Sequence, residues 1–314
     1  MDRKKVLITG SSGMLGIELV HRLRDMYDVT CTDIAAKPNP YCEVKNFIKC
    51  DITDTAQTVN MIKNTGPDAI VHTAAWTDVD GCELEPEKAM KINAEGTHNI
   101  VLGAKEANAL IFYVSSDFVF DGEKTSPYQE DDTPNPINVY GMSKFKGETF
   151  IRKALDRYFI VRTSWLFGRY GKHFVDIILD KADRKEELRV VIDQFGSPTY
   201  TVDLCGALEK LLAIGLERNS MGGVYHFSNR GSCSWYKYAE QIIRLANRNA
   251  AGIVPITSAE LDRPAKRPKM SILNTDKYAS VSGGAPRSWE SALEDYLFSG
   301  FNKQERGYVR DFKK

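Results

Sequence analysis

Through the first half of the chain, short runs of β-branched apolar residues alternate with segments whose apolar positions recur every three or four residues. The alternation predicts strands at 5–9, 29–33, 47–50, 68–72, 110–114 and 159–162. Between them it predicts helices at 17–26, 55–64, 86–108 and 143–151. Strands that each hand over to a helix build a parallel sheet covered on both faces, so the expected class is α/β, a Rossmann-type doubly wound parallel sheet. Residues 120–136, rich in Asp, Glu, Pro and Gly, lack either period and read as a long loop. Beyond Gly168 the strict alternation stops, which points to a smaller, discontinuous C-terminal lobe. Helices are expected there at 174–182, 202–214, 234–248 and 288–297, and strands at 189–192 and 224–227 are expected to rejoin the main sheet. The implied division is residues 1–164, with returning segments near 189–205 and 222–229, against 165–188 and 230–300, followed by a charged tail at 301–314.

Composition narrows the function classes. With 42 Lys plus Arg against 42 Asp plus Glu in 314 residues, the chain offers no global attraction to nucleic acid or to an anionic membrane. No run of apolar residues is long enough to span a bilayer, and the N-terminus leads straight into a strand, so a cytoplasmic location is expected. Six cysteines without a Cys-x-x-Cys fit reduced thiols, and five histidines show no metal-ligand spacing, so no metal is expected.

The candidate chemistry sits at the strand ends. Strand 5–9 stops at Gly10-Ser-Ser12-Gly13-Met14-Leu15-Gly16 just before a helix. In that setting Gly10 permits the tight turn, Gly13 lets main chain approach a pyrophosphate, and Gly16 lets the helix pack close to its strand. Asp33, about twenty residues on at the next strand end, is placed to accept from an adenosine ribose hydroxyl and to repel a 2′-phosphate. Lys37 close by softens that preference, so the cofactor is NADPH or NADH with a modest lean to NADH. Thr73, Ala74 and Ala75 follow the fourth strand and are small enough for close approach of a cofactor. Strand 110–114 delivers Ser116 and Asp117 to the carboxyl edge where open parallel sheets bind ligands. Tyr140 and Lys144, four apart on one helix, share a face. A cation beside a phenol favours phenolate, which lowers the tyrosine's pKa and suits it to proton transfer at a carbonyl oxygen, with Ser116 within reach of that oxygen.

In this order the glycine turn, Asp33, Ser116, Tyr140 and Lys144 resemble the extended short-chain dehydrogenase/reductase family. The segments Val-Ser-Ser116-Asp-Phe-Val-Phe-Asp-Gly122, Pro136-Ile-Asn-Val-Tyr140-Gly-Met-Ser-Lys144, Arg162-Thr-Ser-Trp165-Leu-Phe-Gly168, Asp193-Gln-Phe-Gly-Ser-Pro-Thr199 and Arg267-Pro-Lys-Met-Ser271 narrow it to one resembling the dTDP-4-dehydrorhamnose reductases. The resemblance implies NAD(P)H-dependent reduction of the 4-keto group of dTDP-4-dehydro-L-rhamnose. It makes Tyr140 the proton donor, Lys144 its electrostatic support and ribose contact, and Ser116 the group that orients the carbonyl. Asp51 and Ile52 match an adenine contact, while Asp117, Trp165, Arg267 and Ser271 match the sugar-nucleotide side, where the planar donors of an arginine suit a diphosphate.

Two departures stand out. Phe118 stands where the family commonly has tyrosine, which removes one hydroxyl from the substrate side. Some members bridge a dimer through glutamates and magnesium; Glu18 and Glu290 match two such positions, but Val202 stands at the third, so a homodimer is possible and a metal is not expected. Two other functions fit the same motifs: a dinucleotide-binding regulatory subunit like the β subunit of methionine adenosyltransferase, and a reductase or epimerase of another nucleotide sugar.

Overall fold

A computed structural model describes residues 3–42, 44–217 and 222–299. The expected charged tail at 301–314 lies outside the described residues. Six strands follow one another as β1 (Lys5–Thr9), β2 (Asp28–Asp33), β3 (Asn46–Lys49), β4 (Ala69–His72), β5 (Leu110–Ser116) and β6 (Tyr158–Thr163). With the Gly223–His226 strand on the outer edge of β6, they form a seven-stranded parallel sheet in the order β3-β2-β1-β4-β5-β6 and then Gly223–His226. This is the α/β, doubly wound arrangement that the sequence predicts.

Period two explains how both faces are filled. Val6 and Ile8 of β1, Val71 of β4, Phe112 of β5 and Val161 of β6 join one buried cluster under the helices Met14–Leu23 and Thr201–Glu217. Their neighbours Leu7, Ile70, Ile111, Tyr113 and Ile160 point the other way, into a cluster with Met61, Ile62, Ile100 and Ile151 from the opposite helices. A third apolar cluster is separate from the sheet and holds Phe167, Val175, Leu188, Val190, Tyr238 and Trp289 among others.

Two sequence expectations need correction. The predicted strand at 189–192 does not rejoin the main sheet: Glu187–Val191 pairs in parallel with Gly252–Ile256, and the edge of β6 is taken by Gly223–His226. Leu188 and Val190 point into the third cluster instead. The partner strand escapes sequence reading because Pro255 interrupts it, which an edge strand tolerates. The helix expected at 86–108 is three pieces, Pro86–Ala89, a π-helical turn Met90–Glu95, and Gly96–Ala107, preceded by an unpredicted helix Val79–Leu84. Such a turn frequently marks a functional position, and this one carries Asn93.

Candidate active site

The order of the sheet fixes where a ligand fits. Connections from β1 run outward through β2 and β3, while those from β4 run the other way, so a crevice opens between β1 and β4 at their carboxyl ends. The glycine turn leaves β1 there and Thr73–Ala75 leave β4. From this crevice a cavity of about 860 Å³ runs past Ser116, Tyr140 and Lys144 to Trp165, Trp235 and Arg267. Every sequence-selected site residue lines it except Ser271, which is buried beside Asp117.

At the crevice the wall is main chain. Gly10 adopts φ +67°, and a methyl group added at Gly16 would sit 2.2 Å from the Gly10 carbonyl oxygen. The Asp33 carboxylate accepts from the amide of Ser12 at 3.0 Å and from that of Ala35 at 3.2 Å, which ties the turn to the end of β2. The Ser12 hydroxyl is buried without a hydrogen-bond partner, and Ser12 faces the cavity. A glycine cradle with an unsatisfied hydroxyl and a carboxylate at the next strand end fits a dinucleotide's pyrophosphate and ribose. Lys37 is exposed and does not line the cavity, whereas Asp33 and Asp51 both do.

The middle of the cavity carries the titratable groups. Asn138 caps the Val139–Ala154 helix through Gly141, and the lack of a side chain at Gly141 lets the helix press on the Asp117–Val119 turn: a methyl there would lie 2.0 Å from the Phe118 carbonyl oxygen. Tyr140 thereby meets Phe118 edge to face at 5.8 Å, close to Ser116. Its phenol is pushed up from the usual tyrosine value, first by burial and then by the Asp117 carboxylate, with Ser116 opposing. That reverses the sequence expectation of a lowered pKa. Burial pulls Lys144 down to about 7 against the pull of Glu148, and the charges that act on the Tyr140 phenol come from Asp117 and Cys82. The Lys144 ammonium lies 4.2 Å from the Tyr113 ring centroid. Asp117, fully buried, is pushed up to about 6 by desolvation, with the Ser271 and Ser116 hydroxyls opposing.

Behind these groups lies a scaffold that the motifs do not reveal. Arg162 and Glu148, both completely buried, pair through Nη2–Oε2 at 2.7 Å and Nε–Oε1 at 2.9 Å, and Ser115 donates to the same carboxylate at 2.6 Å. Asn93 receives the Trp76 amide at 2.7 Å and donates to the Trp76 carbonyl and the Ser143 hydroxyl, both at 3.0 Å. It thus joins the loop after β4 to the Tyr140 helix. The one hint in the sequence is a polar residue inside an otherwise apolar stripe. At the far end Trp165, held at φ +47°, stacks on Trp235 with ring centroids 3.5 Å apart. Trp235 carries no motif and reads from sequence only as helix.

The family profile described as "RmlD substrate binding domain" matches residues 4–300. The chain belongs to this family. Among family relatives, the spore coat polysaccharide biosynthesis protein SpsK of Bacillus subtilis is 38% identical, over 93% of this chain and 96% of that protein. The dTDP-4-dehydrorhamnose reductase of Streptomyces griseus is 35% identical, over 93% of each. A crystal structure of dTDP-4-dehydrorhamnose reductase from Bacillus anthracis in complex with NADP superposes with a TM-score of 0.85 at 37% identity, covering 95% of this chain and 100% of that one. The UDP-glucose 4-epimerase of Thermus thermophilus, at 18% identity and a TM-score of 0.80, shares the fold. Among the described residues no helix is long and apolar enough to cross a membrane, and no group of three or more His, Cys, Asp or Glu is placed to hold a metal ion. Within the RmlD frame, Glu18 lies beside Arg169, with burial raising its pKa, and Glu290 is exposed.

Proposed function

We propose that the protein reduces the 4-keto group of dTDP-4-dehydro-L-rhamnose to dTDP-L-rhamnose with NADH or NADPH. The observation that carries this reading is the single cavity in which Tyr140, Ser116 and Asp117 lie between a dinucleotide cradle and the Arg267 end. Membership of the RmlD family supports it. A bound nicotinamide supplies the hydride; the remaining requirements fall on side chains. Tyr140 needs its proton until charge develops on the keto oxygen, and burial keeps that proton in place. The negative charge that grows on that oxygen then meets the phenol O–H and the Lys144 amine in a low-dielectric pocket, where such contacts count for more than in water. Ser116 has one proton, and it goes to Asp117 Oδ1 at 3.0 Å. Orienting the substrate carbonyl therefore requires its hydroxyl to rotate away from Asp117.

Asp33 and Asp51 at the ribose end support a preference for NADH, because either carboxylate opposes a 2′-phosphate. A second reading, reduction of another dTDP-linked 4-keto sugar, draws on Phe118, whose ring meets Tyr140 without the hydroxyl common in the family. The test is to mix the purified protein with NADH or NADPH and enzymatically prepared dTDP-4-dehydro-L-rhamnose. Loss of reduced-nicotinamide absorbance with dTDP-L-rhamnose as product is expected. No oxidation with either cofactor, in protein that still binds the dinucleotide, would overturn the assignment and leave the other sugar or a regulatory dinucleotide-binding role.

A further inference from the structure

Arg267 reaches the cavity from a strap of chain whose hold on the rest of the molecule is unusually specific. Its Nη1 donates to Asp80 Oδ1 at 2.9 Å and to the Ala265 carbonyl at 2.7 Å. The other oxygen of Asp80 receives Arg263 Nη1 at 2.8 Å, and Asp80 Oδ1 also receives the Ala265 amide at 3.3 Å. One residue further, the Lys266 carbonyl accepts from Asn138 at 2.8 Å, the residue that caps the Tyr140 helix. Arg267 thus spends a single nitrogen on the protein, while Nε and Nη2 make no hydrogen bond among the described residues. The Arg267 side chain is only 16% exposed, and the residue lines the cavity. A half-used donor fork, fixed in place and facing a cavity, suits a phosphate group.

We propose that Asp80 is a positioning residue that holds Arg267, with Arg263 as a second cation on the same carboxylate, ready for the diphosphate of the sugar nucleotide. The inference rests on the reading of this end as the substrate side. Two arginines on one aspartate leave one net positive charge at the site, and Asp80 removes rotamer freedom that Arg267 would otherwise lose on binding. Charge alone predicts the opposite result: deleting a carboxylate near an anion site should strengthen anion binding.

The test uses full-length protein, calorimetric titration and three probes: dTDP, thymidine and NADPH. Asp80→Asn keeps the shape and drops the charge. Its dTDP affinity should fall about tenfold, the scale of fixing one long side chain, while thymidine and NADPH bind as in the parent. Asp80→Asn dTDP binding that is unchanged or tighter would show a charge effect without positioning and overturn the proposal. A parallel loss for all three probes would show a purely structural aspartate and overturn it too. Arg267→Ala separates the underlying reading: if it binds dTDP like the parent, this end does not hold the diphosphate at all, and both inferences fail. If only Arg267→Ala loses dTDP affinity, the substrate reading stands and Asp80's role does not.

Discussion

Beside β1 the cavity wall is main chain from one continuous strand-turn-helix, whereas beside Arg267 it is side chains whose key contact, Asp80 to Arg267, joins residues 187 positions apart. The first end needs few side chains, because a glycine turn and a helix N-terminus present amide donors by geometry alone. The second has no such backbone device and reaches its shape through ion pairs and stacked rings. A ligand shared across a large superfamily can be held by backbone. A ligand that distinguishes one member needs side chains that can change.

Between the two ends, Tyr140 separates chemistry from binding, so its loss is the sharpest way to test that the ends are independent. Tyr140→Phe should lower turnover by about 10²–10⁴-fold, the usual contribution of a positioned general acid. NADPH and dTDP affinities, measured by titration, should stay within about twofold of the parent, since the hydroxyl acts on the keto oxygen, which neither probe carries. Turnover near the parent's would remove Tyr140 from the mechanism. A matching fall in either affinity would show that the middle of the cavity belongs to one of the ends.

The Glu148–Arg162 pair carries the next largest effect, on stability. Removing one partner of a buried pair leaves an uncompensated charge and costs about 3–5 kcal/mol, so Glu148→Ala should show that loss in denaturant unfolding. Replacing both by Met should recover most of it, because apolar residues of similar size do not need solvating. A small loss in the single variant would mean that water reaches Arg162 and that the helix is seated by packing alone.

Most of the sheet was legible because period two and period 3.6 are written in consecutive residues, and β1 was placed to the residue at Lys5–Thr9. The glycine turn was legible for the same reason. What stayed hidden was long-range. Nothing local says that Glu187–Val191 pairs with Gly252–Ile256, or that Asp80 faces Arg267. Spacing along a helix reports a neighbour's charge but not burial, and at Tyr140 burial outweighs it and raises the pKa. The motif that carries Arg267 into the cavity also carries Ser271, which is buried outside the cavity lining.

Asp117 gives a pH test of how the middle of the cavity differs from both ends. Its carboxyl sits near 3.8 ordinarily and at about 6 in the fold. Between those values the folded chain binds more protons than the unfolded one, so stability falls as pH rises through the window, and the full cost persists at neutrality. Two units correspond to on the order of 2–3 kcal/mol. Asp117→Asn, which keeps the Ser116 contact, should therefore be more stable than the parent at neutral pH. The advantage should shrink as pH falls below about 6 and disappear below 3.8. A constant difference across that range would show that Asp117 is ionised and solvated in the fold.

The smallest effect is expected at the backbone-built end. Asp33 contributes a charge near the ribose and a tie to the Ser12 amide, but the cradle itself is main chain. Asp33→Ala should cost NADH affinity only a few-fold, since the turn closes through its own Gly13 amide to Gly10 carbonyl bond of 3.0 Å. It should also remove the repulsion of a 2′-phosphate, worth on the order of 1–4 kcal/mol for two charges about 4 Å apart near a protein surface. The ratio of kcat/KM for NADPH to that for NADH should then rise by about tenfold or more. An unchanged ratio would move the discrimination to Asp51 or to the backbone. A collapse of binding for both cofactors would show that this end, like the other, depends on a single side chain to hold its shape.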